Sequence, residues 1–185
     1  MDEKDAEVAE FIDETLRSLE EGQEERKDQI LSEERLRAPV SVLDPREPLA
    51  VEPQTSVLEA VTLMQREHVG CVLVTRGDKL KGIFTERDVL TQIVGQGVDP
   101  AKTPVRRVMT PDPETLRPTD SIAYALNKMS LGDYRHIPLV DKAGKAVGII
   151  SVKDIVNYIV SFFPKSVLNL PTLPRQNYAT EREGP

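Results

Sequence analysis

Apolar positions along the middle of the chain alternate between two periods, and the alternation runs through the same order twice. Leu49–Val51 is a short extended piece ended by Pro53, which has no amide hydrogen to donate. Val57, Ala60, Val61 and Met64 then recur at helical spacing. Cys71–Thr75 is a run rich in β-branched residues, Gly77-Asp78 is a hairpin-type turn, and Leu80–Phe84 returns as a strand. Asp88–Val94 predicts a closing helix. The order strand, helix, strand, strand, helix then recurs with Ala143-Gly144 as the turn. It closes on a strand ending at Gly148-Ile149-Ile150, and Val152, Ile155, Val156, Ile159 and Val160 form the apolar face of the last helix.

The recurrence is colinear, and self-similarity at a fixed period outranks any local motif. Gly82, Thr85 and Asp88 match Gly148, Ser151 and Asp154 at an offset of 66, and His68–Val74 matches Tyr134–Val140 at the same offset. Upstream, Val57, Ala60 and Met64 match Ile122, Ala125 and Met129 at 65, as Pro39, Pro48 and Pro53 match Pro104, Pro113 and Pro118. This alignment places one inserted residue within Ser130–Asp133. The copies span Pro39–Gly97 and Pro104–Phe162. The expected organisation is an acidic helical segment over 1–38, repeats over 39–100 and 101–163, and an extended tail over 164–185. Units of about 60 residues are marginal alone, so the two copies must share a core.

At the ends the pattern changes. Asp2–Glu20 predicts a helix with Val8, Phe11, Ile12, Leu16 and Leu19 on one side, a stripe that should dock on something. The plain reading is a flank folded over its own module or a dimer mate; the sharper one is a docking helix for another protein. Gln23–Arg37 is a second, weaker helix or a helical linker. Val167–Pro171 is a short apolar segment, and Pro174–Pro185 has the polar composition of a disordered tail.

Composition narrows the picture. Apolar residues make up 39% of the chain and aromatics 4%, so the core must be aliphatic. Residues 1–38 hold fourteen acids and six Lys/Arg, a balance of −8; of the overall −7 the rest of the chain therefore carries +1. A near-neutral core argues against a duplex DNA-binding face, and the scarcity of aromatics argues against base stacking on single strands. Cys71 is the sole cysteine, so no intrachain disulfide forms, and its strand position makes it a small buried hydrophobe. Neither a signal peptide nor an apolar run of membrane-spanning length is visible, so the expectation is a soluble, cytoplasmic chain.

Chemistry concentrates at the repeated strand-to-helix turn. Thr85 with Asp88, and Ser151 with Asp154, are capping-box-like pairs, and capping alone would explain both. The same geometry sets a hydroxyl and a carboxylate at a helix start, where together they can bond the vicinal hydroxyls of a ribose. Arg135 and His136 could meet a phosphate, Arg by forking onto two oxygens; Arg87 and Lys153 are further phosphate candidates or merely exposed helix charges. Ile137 and Pro138 near one site, and Cys71 and Val72 near the other, could wall an apolar slot. The first copy has Val69 and Gly70 where this alignment puts Arg135 and His136, so two unequal sites are expected, with the cleft that receives the basic pair left open. No metal set, nucleophile motif or dinucleotide fingerprint occurs, and the chain reads as non-enzymatic.

A β-α-β-β-α unit in tandem, closed by Gly-h-h-Thr/Ser-x-x-Asp-h-h (h, apolar), resembles the CBS domain, the module named after cystathionine β-synthase. Two copies in one chain resemble a CBS pair, or Bateman module, of the stand-alone bacterial type. The resemblance covers about Pro39–Phe162 and implies an α/β (α+β) fold of two pseudo-symmetric repeats, preceded here by the N-terminal helical segment. It also implies a non-catalytic regulatory module with no obligatory cofactor. An adenosyl nucleotide (AMP, ADP, ATP or S-adenosylmethionine) would lie between the repeats, with its ribose at Thr85/Asp88 or Ser151/Asp154. The implied assembly is a homodimer, with a protein partner as the recipient of the signal. The rival reading is a ligand-free interaction module in which the motif residues only cap helices and the N-terminal helix binds the partner.

Overall fold

The structure is a computed structural model that describes residues 31–163. The helix expected over Asp2–Glu20, most of Gln23–Arg37 and the tail beyond residue 163 lie outside the described residues. Ser32–Tyr158 forms one compact unit; Leu31 and residues 159–163 belong to another. The end of the charged run is a short helix, α1 (Glu33–Arg37), capped by the Ser32 hydroxyl.

The first copy supplies β1 (Ala50–Val51), α2 (Val57–Arg66), β2 (Cys71–Arg76), β3 (Lys79–Thr85) and α3 (Glu86–Gln92). Ser56 starts α2 through a reciprocal capping box with Glu59, which satisfies two of the amides a helix start leaves open. β1 pairs in parallel with β2, and β2 pairs antiparallel with β3 across a turn whose Gly77 holds φ 57°. Four consecutive residues of β2, Cys71–Val74, are buried. The pleat sends them alternately to two faces. Val72, Val74 and Phe84 join Val57, Ala60 and Met64 of α2, whereas Cys71, Leu73 and Ile83 pack against Ala146 and Ile149 of the second copy. The run has no polar positions because both faces are covered.

The second copy supplies α4 (Ile122–Gly132), β5 (His136–Val140), β6 (Ala146–Ser151) and α5 (Val152–Val160). Its opening strand shrinks to a parallel bridge between Leu116 and Leu139. The mixed α/β architecture agrees with the expectation, but the register corrects the alignment of the copies. Cys71 pairs with Thr85 in the first hairpin, and His136 pairs with Ser151 in the second. Thr85 and Ser151 are 66 apart, Cys71 and His136 only 65. The left-handed residue that follows each middle helix, His68 (φ 52°) and Asp133 (φ 51°), obeys the same offset of 65. The extra residue therefore sits in the β5–β6 hairpin, and not within Ser130–Asp133. Sequence misplaced it because strands buried on both faces look apolar in either register.

Each copy's leading segment is carried by the other copy. At the start of the first copy, the Val40 amide donates to the Asp120 carbonyl at 2.7 Å, and the Ile149 amide of β6 donates to the Arg46 carbonyl at 3.2 Å. At the start of the second, the Val105 amide donates to the Thr55 carbonyl at 2.8 Å, and β4 (Thr110–Pro111) pairs with Gly82 and Ile83 of β3. Val40 and Val105 are both fully buried. The motif glycines mark the crossings. A side chain at Gly82 would collide with Met109 and come within 2.9 Å of the Thr110 carbonyl, and one at Gly148 would lie 3.1 Å from Pro45 Cβ.

Candidate functional site

The exchange of leaders builds two cavities along the seam, each assembled from both copies. One, of about 520 Å³, is lined by Ser151, Lys153 and Asp154 from the α5 turn, by Arg46 and Leu49 from the first leader, and by His68–Cys71. The other, of about 420 Å³, is lined by Thr85, Arg87 and Asp88 from the α3 turn, by Thr110 and Glu114 from the second leader, and by Asp133–His136.

The two turns have the same internal geometry. The Ser151 amide and hydroxyl each donate to Asp154 Oδ2 at 2.7 Å, and the Asp154 amide donates to Ser151 Oγ at 3.3 Å. At Thr85 the amide and hydroxyl each donate to Asp88 Oδ2 at 2.8 Å, and the Asp88 amide returns to Thr85 Oγ1 at 3.3 Å. Thr85 is the N-cap of α3 in a full capping box. One carboxylate oxygen of each aspartate is thus occupied by the turn, which fixes the rotamer and leaves Oδ1 as the outward acceptor. Asp154 Oδ1 lies 3.6 Å from Arg46 Nη2. Asp88 Oδ1 accepts from the Thr110 hydroxyl at 3.4 Å. Capping and an outward acceptor coexist because a carboxylate has two oxygens.

Arg135 and His136 line both cavities, which answers the question of the cleft: they sit on the wall between the two. With the corrected register their counterparts are Gly70 and Cys71, so the copies differ there as expected, but at positions one residue later. His136 is held below the ordinary histidine range, first by burial and then by the Arg135 guanidinium, with Arg46 adding to the effect and Glu86 and Asp154 opposing it. Its resting form is the neutral imidazole. Cys71, lining the Ser151 cavity, has its thiol pushed up to about 12 by burial and by the nearby Glu86 carboxylate.

The remaining candidates separate by position. Lys153 lines the Ser151 cavity, and Arg87 lines the other, where its Nη1 donates to both the carbonyl (2.6 Å) and Oδ2 (2.8 Å) of Asp133. Ile137 and Pro138 are buried in β5 and line neither cavity, because the pleat turns Ile137 into the interior. Val72 likewise points to the α2 side of its sheet. The apolar wall of the Ser151 cavity comes instead from Leu49, Val69, Ile149, Ile150, Val152 and Val156.

Sequence reasoning missed Arg46, Leu49, Thr110, Glu114 and Glu86. The matched prolines did flag the leaders as parts of the repeat; that each leader serves the opposite copy has no local signature. Among the described residues, no helix is long and apolar enough to cross a membrane.

Comparison with known proteins follows the same lines. A profile of the CBS domain matches residues 30–95 and 105–161. The chain is 34% identical over 116 residues to the CBS domain-containing protein CBSCBSPB3 of Arabidopsis thaliana, a match covering 63% of this chain and 21% of that one. It thus spans about a fifth of the length of that plant relative. Among solved structures, the CBS-domain containing protein ATU1752 from Agrobacterium tumefaciens matches with TM-score 0.60 and 30% identity, over 64% of this chain and 97% of its own. The CBS domain protein PAE2072 from Pyrobaculum aerophilum, solved in complex with AMP, matches with TM-score 0.60 and 26% identity, over 70% of this chain and 95% of its own.

Proposed function

The chain belongs to the CBS-domain family as a tandem pair, and from that premise we propose that it is a non-catalytic regulatory module whose signal is an adenosyl nucleotide bound in the seam between its copies. The observation that carries the reading is the division of labour in Asp154, a residue lining a cavity of about 520 Å³: Oδ2 is consumed by the Ser151 turn, and Oδ1, 3.6 Å from Arg46 Nη2, is left outside it. A ribose offers two adjacent hydroxyl donors, for which Asp154 Oδ1 and the remaining lone pair of Ser151 Oγ would be the acceptors. Lys153 and Arg135 line the same cavity as the cations for phosphate oxygens, and its aliphatic wall offers a slot for a flat base. The AMP complex of PAE2072 supports the same ligand class.

Binding across the seam ties a leader of one copy to the motif of the other. A ligand that prefers one arrangement of the two shifts the module toward it, and a partner with differential affinity reads the shift. Leu90 on α3 and Val156 on α5 occupy matching positions and are 67% and 47% exposed, which supports a homodimer closed over these helices.

Isothermal titration calorimetry against AMP, ADP, ATP and S-adenosylmethionine, with GMP as control, tests the reading. Saturable binding of an adenosine compound is expected, weakened at least about tenfold by Asp154→Asn. Asparagine keeps a capping oxygen, but its nitrogen has no lone pair for a ribose hydroxyl. A flat panel with folded protein would reject the ligand and leave the interaction-module reading.

A further inference from the structure

We infer that the two cavities sort their ligands by charge: the Ser151 cavity takes an adenosine compound bearing phosphate, and the Thr85 cavity takes one whose 5′ substituent is uncharged or cationic. This rests on the ligand reading above and assigns a ligand class to each half of the seam.

Three cations, Arg46, Arg135 and Lys153, face three carboxylates, Glu47, Glu86 and Asp154, in the Ser151 cavity. Arg46 already balances Asp154 there. Arg135 and Lys153 have no ion pair among the described residues. The Thr85 cavity has Arg87 and Arg135 against Glu86, Asp88, Asp112, Glu114 and Asp133. Arg87 is engaged by Asp133 at 2.8 Å, and Glu114 is engaged by Lys128 of α4 at 2.8 Å. With Lys128 counted as a third cation, two carboxylates remain in excess.

The difference arises at equivalent positions. At the offset of 65, Arg46 becomes Pro111, Leu49 becomes Glu114 and His68 becomes Asp133. The second cavity therefore loses a cation and gains two carboxylates while keeping the aspartate and hydroxyl of its turn. Charges a few ångströms from a bound phosphate lie well inside a Debye length of about 8 Å, so salt does not mask the excess. Arg135 is common to both cavities and can fork onto the phosphate of one at a time. Tyr134 supplies the second cavity with an aromatic wall in place of Val69.

The test uses the full chain and two probes that share a nucleoside and differ in charge, AMP and 5′-amino-5′-deoxyadenosine, titrated by calorimetry into the wild type, Asp154→Asn and Asp88→Asn. AMP is expected at one site per chain, weakened at least about tenfold by Asp154→Asn and unmoved by Asp88→Asn. The aminonucleoside is expected to show a site that Asp88→Asn weakens by a similar factor. Removing the surplus acids with Asp112→Asn and Glu114→Leu should then open the second cavity to AMP. AMP filling two sites in the wild type, or following Asp88, overturns the sorting while leaving the ligand reading intact. So does an aminonucleoside that follows only Asp154. Failure of both probes and of the wider adenosine panel removes the ligand reading itself, and the sorting falls with it.

Discussion

A methyl group at Gly70 would lie 3.3 Å from His136 Cε1 and 3.4 Å from its Nε2. Gly70 directly precedes β2, His136 opens β5, and both line the two cavities, so the imidazole packs at this shared wall against a residue without a side chain. Gly70 does not hold a positive φ, so the constraint is space and not backbone conformation. Gly70→Ala should destabilise the fold by about 1 kcal/mol, toward the mild end of overpacking. In a His136→Ala background most of that cost should vanish. Urea unfolding of the four proteins in the cycle measures the coupling, and purely additive costs would contradict the contact.

Asp154 has a stability role separable from any ligand. Asp154→Ala removes the acceptor of two hydrogen bonds from Ser151 and should cost about 1–2 kcal/mol in urea unfolding without ligand. Asp154→Asn should recover most of that loss, since its amide oxygen can take the same two donors. Equal costs for the two variants would show that the charge, and not the cap, supports the turn.

His136 gives the fold a defined acid response. Its folded value is lowered, so the unfolded chain binds the proton more readily, and the imidazole opposes folding once it charges. Stability from this residue is intact above the ordinary value of about 6.5 and declines as pH falls through that value toward the lowered one. The groups acting on it are Arg135 and Arg46, which hold it down, and Glu86 and Asp154, which pull it up. Thermal melts between pH 7.5 and 5 should show a drop that His136→Gln flattens. An unchanged pH profile in that variant would place the acid response elsewhere.

Cys71 should be a poor nucleophile. Its thiol is pushed up to about 12 and its side chain is buried, so little thiolate exists at neutral pH and little reagent reaches it. Labelling of the native protein with iodoacetamide at pH 7.5 should be far slower than of the urea-unfolded chain. An adenosine ligand in the Ser151 cavity should slow it further, because Cys71 is part of that wall.

The exchanged leaders should be as important to stability as the motif helices. Val105 lies outside the strand and helix pattern of the first copy yet is fully buried among Val57, Met64 and Phe84. Val105→Ala should cost about 2 kcal/mol, the scale of a core truncation, and Val40→Ala a similar amount. A first repeat cut after residue 100 should not fold, because it lacks both Val105 and the Thr110–Pro111 strand that pairs with β3. Circular dichroism of that fragment is the check, and a cooperative melt would show the repeats to be independent.

Much of this architecture was legible in the chain itself. The doubled strand–helix–strand–strand–helix order is written in local periodicity, and the capping pairs at Thr85/Asp88 and Ser151/Asp154 are contacts three residues apart. Turn glycines and leader prolines are local too. Such features survive in one dimension because the atoms that matter are neighbours in sequence. Tertiary structure decided the rest. It set the register of β5 against β6, which an apolar run buried on both faces leaves undetermined, and so moved the inserted residue into the hairpin. It sent Pro45-Arg46 to Gly148 and Thr110-Pro111 to Gly82, contacts between copies that no spacing encodes. That exchange brought Arg46 to Asp154 and Glu114 to the Thr85 cavity. Sequence alone already set the two sites apart at Arg135 and His136; the further charge difference comes largely from the leader residues Arg46 and Glu114, whose destination only the packing of two half-cores determines.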